Sequence, residues 1–140
     1  MIDIKLDMTA ITAQLDKIRH TAEEAIRPAA QAGAQVYYNE VKLRAKRGGE
    51  VRHLKGGRTR QAGLLASAIY QVYSKDSSGK EQATYHISWN KKMAPHGHLV
   101  EFGTSRSAKK PFLRPAYDAV HGLAEIAVNA EMQKRLKDAL

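Results

Sequence analysis

The sequence predicts an α+β fold in which a long kinked N-terminal helix and a C-terminal helix pack on a small antiparallel sheet of three to four strands. Two long apolar periodicities of helical type stand near the two ends of the 140-residue chain. Between them lie β-branched and aromatic runs separated by turn residues. Helices flanking antiparallel strands are typical of the α+β class. The length is that of one domain, so we treat residues 1–140 as a single domain.

The N-terminal third is predicted to be an extended arm over 1–8 followed by a kinked helix over 9–46. Thr9 is a candidate N-cap. Pro28 removes one helical hydrogen bond and crowds the preceding turn, so we expect two near-collinear helical pieces that meet near Arg27. Because half of the apolar positions are alanine, the face suits close packing on a sheet better than a coiled-coil seam. The positions recur at steps of four and three: Ile11, Leu15, Ile18, Ala22, Ala25, Ala29, Ala32 and Val36.

The segment 61–102 is predicted to hold a turn and the antiparallel strands. The runs 69–73 and 83–89 are rich in β-branched and aromatic residues, and turn residues at 76–80 separate them. Two such runs around a glycine-containing loop indicate a β-hairpin. The short apolar run at 98–102 is predicted to be a third strand.

The C-terminal part is predicted to be a loop over 103–111 and a helix over 112–138. Pro115 suits the first turn of a helix, where a missing N–H costs nothing. Leu113, Tyr117, Val120 and Leu123 continue an apolar face of helical spacing.

Composition limits the classes of function. The chain has no cysteine, which excludes disulfides and thiolate metal sites. No stretch approaches the roughly 20 apolar residues that a membrane span needs, so we expect no membrane partner and a protein that is cytosolic where it is made. The net charge of +9 favours phosphate-bearing partners or acidic protein surfaces.

Most of this charge lies in residues 42–60, where eight cations stand against Glu50 alone. Two Gly-Gly pairs indicate flexible backbone, so 47–60 is predicted to be a basic flexible loop. Three uses remain open: the loop faces DNA, it pairs with an acidic protein surface, or it is simply solvated. No aromatic residue accompanies the cations, so base stacking is not indicated. The candidate contact residues are Arg44, Lys46, Arg47, Arg52, Lys55, Arg58 and Arg60.

Candidate catalytic and metal-binding residues are few. His96 and His98, with Glu101 nearby and His53 elsewhere, could begin a metal site, but nothing defines a third and fourth ligand. The plainer interpretation is two polar histidines where a loop meets a strand. Neither a G-x-S-x-G elbow nor a G-x-x-x-x-G-K-[ST] loop is present. We therefore expect no enzyme, no catalytic residue, no cofactor and no metal.

Two motifs near the C-terminus carry a family resemblance. His98-Leu-Val-Glu-Phe-Gly-Thr104, followed by Pro111-Phe-Leu-Arg-Pro-Ala116, resembles the signature of a family of long-tailed bacteriophage proteins named for gene product ten of a lambdoid phage. The segment 63–69 resembles the family's helical turn before the first strand, with Ala68 where many members carry serine. The resemblance extends over about 9–135. Its signature positions are Val100, Glu101, Phe102, Gly103, Thr104, Pro111, Phe112, Arg114 and Pro115.

The resemblance implies a structural virion protein of the phage neck or tail. It implies a homo-oligomeric ring of six subunits, with twelve as the alternative, that joins the tail terminator or tail tube to the head connector around the DNA path. Non-specific contact with packaged DNA would then fall to the basic loop. We expect the arm or that loop to become ordered only on assembly. No catalytic residue is implied, and a stand-alone nucleic-acid-binding protein remains the alternative function.

The signature segment is then expected to be a structural joint. Phe102 and Phe112 are predicted to be buried, although Phe112 could instead anchor in a neighbouring subunit. The loop between the two motifs is predicted to be exposed and to contact the next subunit. Its candidate residues are Thr104, Ser105, Arg106, Ser107, Lys109 and Lys110.

Overall fold

The computed structural model describes residues 1–47, 52–60 and 63–140. It confirms the α+β class, with a long helix at each end of the described chain. The sheet is smaller than expected, because the described strands form two separate two-stranded hairpins rather than one sheet of three or four strands. The elements are α1 Thr9–Arg47, β1 Arg52–Leu54, β2 Arg58–Arg60, α2 Leu64–Ala68, β3 Ile69–Ser74, β4 Thr84–Trp89, α3 Gly97–Phe102 and α4 Leu113–Ala139.

The main partner of α1 is α4, and the two helices run antiparallel. Ala25 and Ala29 of α1 are each only 1% exposed. A Cβ atom on Gly33 would lie 2.6 Å from Cγ2 of Val128, so the helices approach closely at this point. The prediction that the alanine-rich face lies mainly on a sheet is therefore wrong. Small residues instead allow one helix to pack tightly against the other.

The helix α1 is continuous through Pro28, so the expected division into two pieces is wrong. Proline leaves the carbonyl of Glu24 without its helical donor. Glu24 is exposed, so water can satisfy that carbonyl. The buried alanines on either side of Pro28 pack as one face, which stabilises a single helix across it.

The start of α1 is capped by a different residue from the one predicted. The N–H of Thr9 donates to Oδ1 of Asp7 over 2.9 Å, and the Thr9 hydroxyl donates to the same oxygen over 2.6 Å. These two hydrogen bonds hold the pKa of Asp7 below its ordinary value. Thr9 is thus a donor to the capping carboxylate rather than the N-cap acceptor.

The strands β3 and β4 form the predicted hairpin, in a register that pairs Ile69 with Trp89 and Ser74 with Thr84. Ile69 and Trp89 are buried, and the core around them includes Val41, Leu65 and Phe112. The guanidinium of Arg27 lies 4.5 Å from the ring centre of Tyr73, which attaches α1 to the hairpin through a cation–π contact. The core thus lies between α1, the hairpin and the start of α4.

The predicted third strand at 98–102 is wrong, because these residues form the short helix α3. Gly97 allows its packing, since a Cβ atom there would overlap the indole ring of Trp89 at Nε1. Gly103 ends the helix, and its N–H donates to the carbonyl of Leu99. A short apolar run fits a buried strand or a turn of helix equally well in sequence.

The basic segment contains strand pairing that the sequence does not predict. Its described part 52–60 is a hairpin in which β1 and β2 pair antiparallel, with Leu54 opposite Arg58. Gly56 and Gly57 both have positive φ, which suits a tight hairpin turn. The prediction of a loop without strands is therefore wrong for this part, the flexibility of the segment stays a prediction, and its portion at 48–51 lies outside the described residues. Within the described ranges, no helix is both long and apolar enough to cross a membrane.

Candidate functional site

The buried carboxylate of Glu101 joins the two signature motifs. It accepts hydrogen bonds from the backbone N–H groups of Phe112, Leu113 and Arg114, over 2.7, 3.1 and 3.2 Å. These N–H groups belong to the N-cap residue and the first two residues of α4, where a helix has no partners for them. The carboxylate also places a negative charge at the positive end of the helix. Glu101 therefore caps α4 from α3, and this arrangement fixes the angle between the two elements.

Gly103 makes this junction possible. Its φ is +75°, a region that favours glycine, and a Cβ atom would lie 2.7 Å from the backbone nitrogen of Lys109. The Lys110 N–H donates to the carbonyl of Val100 over 2.8 Å. The loop therefore folds back on the end of α3 and delivers Pro111 and Phe112 to the carboxylate.

The two signature phenylalanines have opposite environments. Phe112 is 1% exposed and meets Trp89 edge-to-face, with ring centres 5.7 Å apart. Its predicted burial is confirmed. Phe102 is 76% exposed, so its predicted burial is wrong. The helical turn at α3 directs Glu101 inward, and the next residue consequently points outward.

The predicted inter-subunit loop is exposed at every candidate residue. A short turn organises its first part, in which the backbone groups of Thr104 and Ser107 exchange hydrogen bonds of 2.9 and 3.3 Å. Contact of this loop with another subunit stays a prediction. The exposed candidates are Thr104, Ser105, Arg106, Ser107, Lys109 and Lys110.

The basic candidates are divided between α1 and the β1–β2 hairpin. Arg44 pairs with Glu40 within α1, with Nε and Oε1 2.7 Å apart, so its charge is partly neutralised. Lys46 and Lys55 are exposed. Arg47 is the last residue of α1. In the hairpin register, Arg52 is opposite Arg60, and Arg58 lies two positions before Arg60 on the same strand. Three of the six paired positions are therefore arginine.

The first twenty residues form a segment that no other part of the described chain covers. Their apolar side chains are exposed: Met1, Ile2, Ile4, Leu6, Met8, Ile11, Leu15 and Ile18. The apolar face that predicts helix α1 is buried only from Ala25 onward, where α4 lies against it. The beginning of α1 therefore projects from the molecule with an uncovered apolar face.

An apolar groove of about 810 Å³ opens between α1, β4 and the start of α4. Tyr37 of α1 stacks on Tyr117 of α4 with ring centres 5.4 Å apart. The Tyr37 hydroxyl and Nδ1 of His121 are 2.9 Å apart. Burial raises the pKa of Tyr37, with smaller contributions from Tyr117 and Glu125. The sequence contains no local signal for this groove, because its three walls are distant along the chain.

The histidine candidates do not come together as a metal site. His96 precedes α3, and His98 is exposed on α3 rather than on a strand. Among the residues that the structure describes, no group of three or more His, Asp or Glu side chains is placed to hold a metal ion.

Comparison with known proteins identifies one family. The model described as "Bacteriophage HK97-gp10, putative tail-component" matches residues 9–103, more than half of the chain. The match includes residues 98–103 of the first signature motif and ends before Thr104 and the second motif. No curated protein matches the chain, and no solved structure matches it. The chain therefore belongs to the HK97-gp10-like family, whose description makes it a structural component of the bacteriophage tail and hence of the virion.

Proposed function

We propose that this chain is a ring-forming tail-completion or head–tail joining subunit. In this proposal, six subunits, or alternatively twelve, link the tail tube or its terminator to the head connector around the DNA path. The role is structural, with no catalytic step. Membership in a family of tail components supports the setting.

The observation that carries the proposal is the uncovered segment 1–20. Ile11, Leu15 and Ile18 form one face of a helix and are 47%, 59% and 38% exposed. Monomeric proteins rarely leave a contiguous apolar stripe exposed, and such stripes usually mark a surface that another protein covers. A ring supplies that cover, because each subunit has a neighbour on both sides.

The charge distribution supports a place beside the DNA path. Residues 42–60 carry eight cations and one anion, a net +7 of the chain's +9. A ring multiplies this charge by the number of subunits, so weak contacts with DNA phosphates or acidic protein become strong together.

The proposed ring is tested by measuring the mass of the particles that the purified chain forms under assembly conditions. We expect rings in negative-stain images and mass measurements of the purified chain, alone or with connector and tail-tube proteins. The triple variant Ile11→Gln, Leu15→Gln, Ile18→Gln should stay folded, since its sites are exposed, and should lose the ring.

A matched control changes the opposite side of the same helical segment. The variant Ala13→Gln, Asp16→Asn, His20→Gln alters three residues that are also exposed and should still form rings. A chain that remains monomeric alone and with both partner proteins would contradict the proposal. Equal loss of assembly in both triple variants would show that the apolar stripe is not the contact.

A further inference from the structure

The most exposed apolar side chains of the molecule lie in its N-terminal arm, residues 1–8. Ile2 and Ile4 are each 90% exposed and Leu6 is 79% exposed, more than the apolar residues of the projecting helix that follows. The arm has no helix or strand of its own. In extended conformation, residues two apart lie on one side, so Ile2, Ile4 and Leu6 can present one apolar edge while Asp3 lies on the other side.

The apolar groove between α1, β4 and α4 has the properties of a receptor for such an edge. Its walls are aromatic and aliphatic, and its volume of about 810 Å³ is in the range of well-formed binding sites. Two exposed cations, Lys109 and Arg114, also line it. The carboxylate of Glu101 at the groove is occupied by the backbone N–H groups of α4. The groove therefore presents net positive charge beside an apolar floor.

The arm cannot reach the groove of its own subunit. Tyr37 lies in the groove 28 residues beyond Thr9, which is about 42 Å along a helix. Ile2 is seven residues before Thr9, and seven extended residues span no more than about 25 Å. An arm that enters this groove must therefore come from another copy of the chain.

From these observations we infer that the arm of one subunit docks in the apolar groove of a neighbouring subunit, with Ile2, Ile4 and Leu6 inserted against its aromatic and aliphatic walls. This inference rests on the proposed ring, and it names the contact that closes each subunit onto the next. Each arm–groove contact is small, and the ring makes many of them at once.

Disulfide trapping tests the inference, because the natural chain has no cysteine. One full-length variant carries Ile4→Cys and another carries Lys109→Cys, and the two are mixed under mild oxidation. A docked arm holds the two thiols at an effective concentration in the millimolar range, so cross-linking should exceed that of a control pair by at least about tenfold. The control pair replaces Lys109→Cys by Lys134→Cys, an exposed lysine of α4 that does not line the groove.

Two further variants make the result specific. Adding Ile2→Asp and Leu6→Asp to the Ile4→Cys chain should reduce cross-linking to the control level, and both sites are exposed, so folding is unaffected. A chain with both Ile4→Cys and Lys109→Cys, oxidised at high dilution, should not cross-link within itself. Equal yields for the Lys109→Cys and Lys134→Cys pairs, or an internal cross-link at high dilution, would overturn the inference.

The outcome is separable from that of the proposed ring. If rings assemble but the cross-link does not form, the proposed ring stands and the arm–groove contact is overturned. A specific cross-link in particles that never exceed a few subunits would support the contact and contradict the ring.

Discussion

Glu101 is the residue on which the signature segment depends. Its side chain is 7% exposed, and its two oxygens accept hydrogen bonds from three successive backbone N–H groups of α4. In the sequence it stands eleven to thirteen residues before its partners, too far for any local capping pattern. The sequence therefore marks it only as a neighbour of a possible metal site and as a family-signature position, and the tertiary structure gives it a capping role.

We expect Glu101→Gln to lower the free energy of unfolding by about 1–3 kcal/mol, because the amide loses the negative charge and replaces one acceptor oxygen with a donor. Urea unfolding measures the change. Glu81→Gln, at an exposed glutamate in the loop between β3 and β4, is the control and should change stability by less than about 0.5 kcal/mol. A change for Glu101→Gln as small as that of the control would refute the capping role.

The two signature phenylalanines give a second test at this scale. Phe112→Ala removes a ring that is 1% exposed and should lower stability by about 3–5 kcal/mol. Phe102→Ala removes a ring that is 76% exposed, so its effect on thermal unfolding should be small, while assembly into larger particles should weaken. If Phe112→Ala melted like the wild type but failed to assemble, Phe112 would be an interface anchor instead.

At the scale of elements, apolar periodicity located the two long helices and the β3–β4 hairpin almost to the residue. The prediction of 9–46 became Thr9–Arg47, and 112–138 became Leu113–Ala139. Short segments were less predictable. The run at 98–102 is too short for its period to distinguish strand from helix. The sequence does not predict the β1–β2 hairpin, although Gly56 and Gly57 are a hairpin turn signal, because its strands have only three residues each and three of the six are arginine.

Packing between α1 and α4 leads to opposite expectations for two helical glycines. Gly122 of α4 has no atom within 4 Å of the position of an added Cβ, so Gly122→Ala should stabilise the protein by about 0.5–1 kcal/mol through helix propensity. Gly33→Ala would place its Cβ 2.6 Å from Val128, so the crowding should outweigh that gain and lower stability by about 1–3 kcal/mol. Thermal or urea unfolding of both variants measures the difference, and equal stabilisation by both would contradict the close helix contact.

At the scale of the whole molecule, the chain is polarised between an apolar projecting end and a basic hairpin end. Residues 1–20 are exposed and carry the uncovered apolar face. The other end of α1 leads toward the hairpin with Arg52, Arg58 and Arg60. The exposed apolar face and the basic hairpin thus lie at opposite ends of one long helix. This separation suits the proposed ring, in which neighbouring subunits would bind the apolar end and DNA or an acidic protein would bind the basic end.

The position of the charge should matter more than its amount. We expect binding to a short duplex DNA to depend less on salt in the triple variant Arg52→Ala, Arg58→Ala, Arg60→Ala. The slope of the logarithm of the binding constant against the logarithm of the salt concentration should decrease in magnitude by as much as about 3. The control Lys75→Ala, Lys80→Ala, Lys91→Ala removes the same charge from exposed sites outside the basic segment. Fluorescence anisotropy over a salt series measures both slopes. The same slope for the two variants would mean that only net charge acts, whereas no binding at low salt would favour an acidic protein as the partner.

The fold class, the extents of the long helices, the β3–β4 hairpin and the family resemblance follow from the sequence without the structure, because each depends on patterns within single segments. The capping of α4 by Glu101, the burial of Phe112, the exposure of Phe102, the packing of α1 on α4 and the groove beside Tyr37 and Tyr117 are visible only in the folded chain. These features join residues that are distant along the chain. Local periodicity carries information about which face of an element is apolar, but the partner that covers that face, or leaves it uncovered, is chosen by packing of the whole chain.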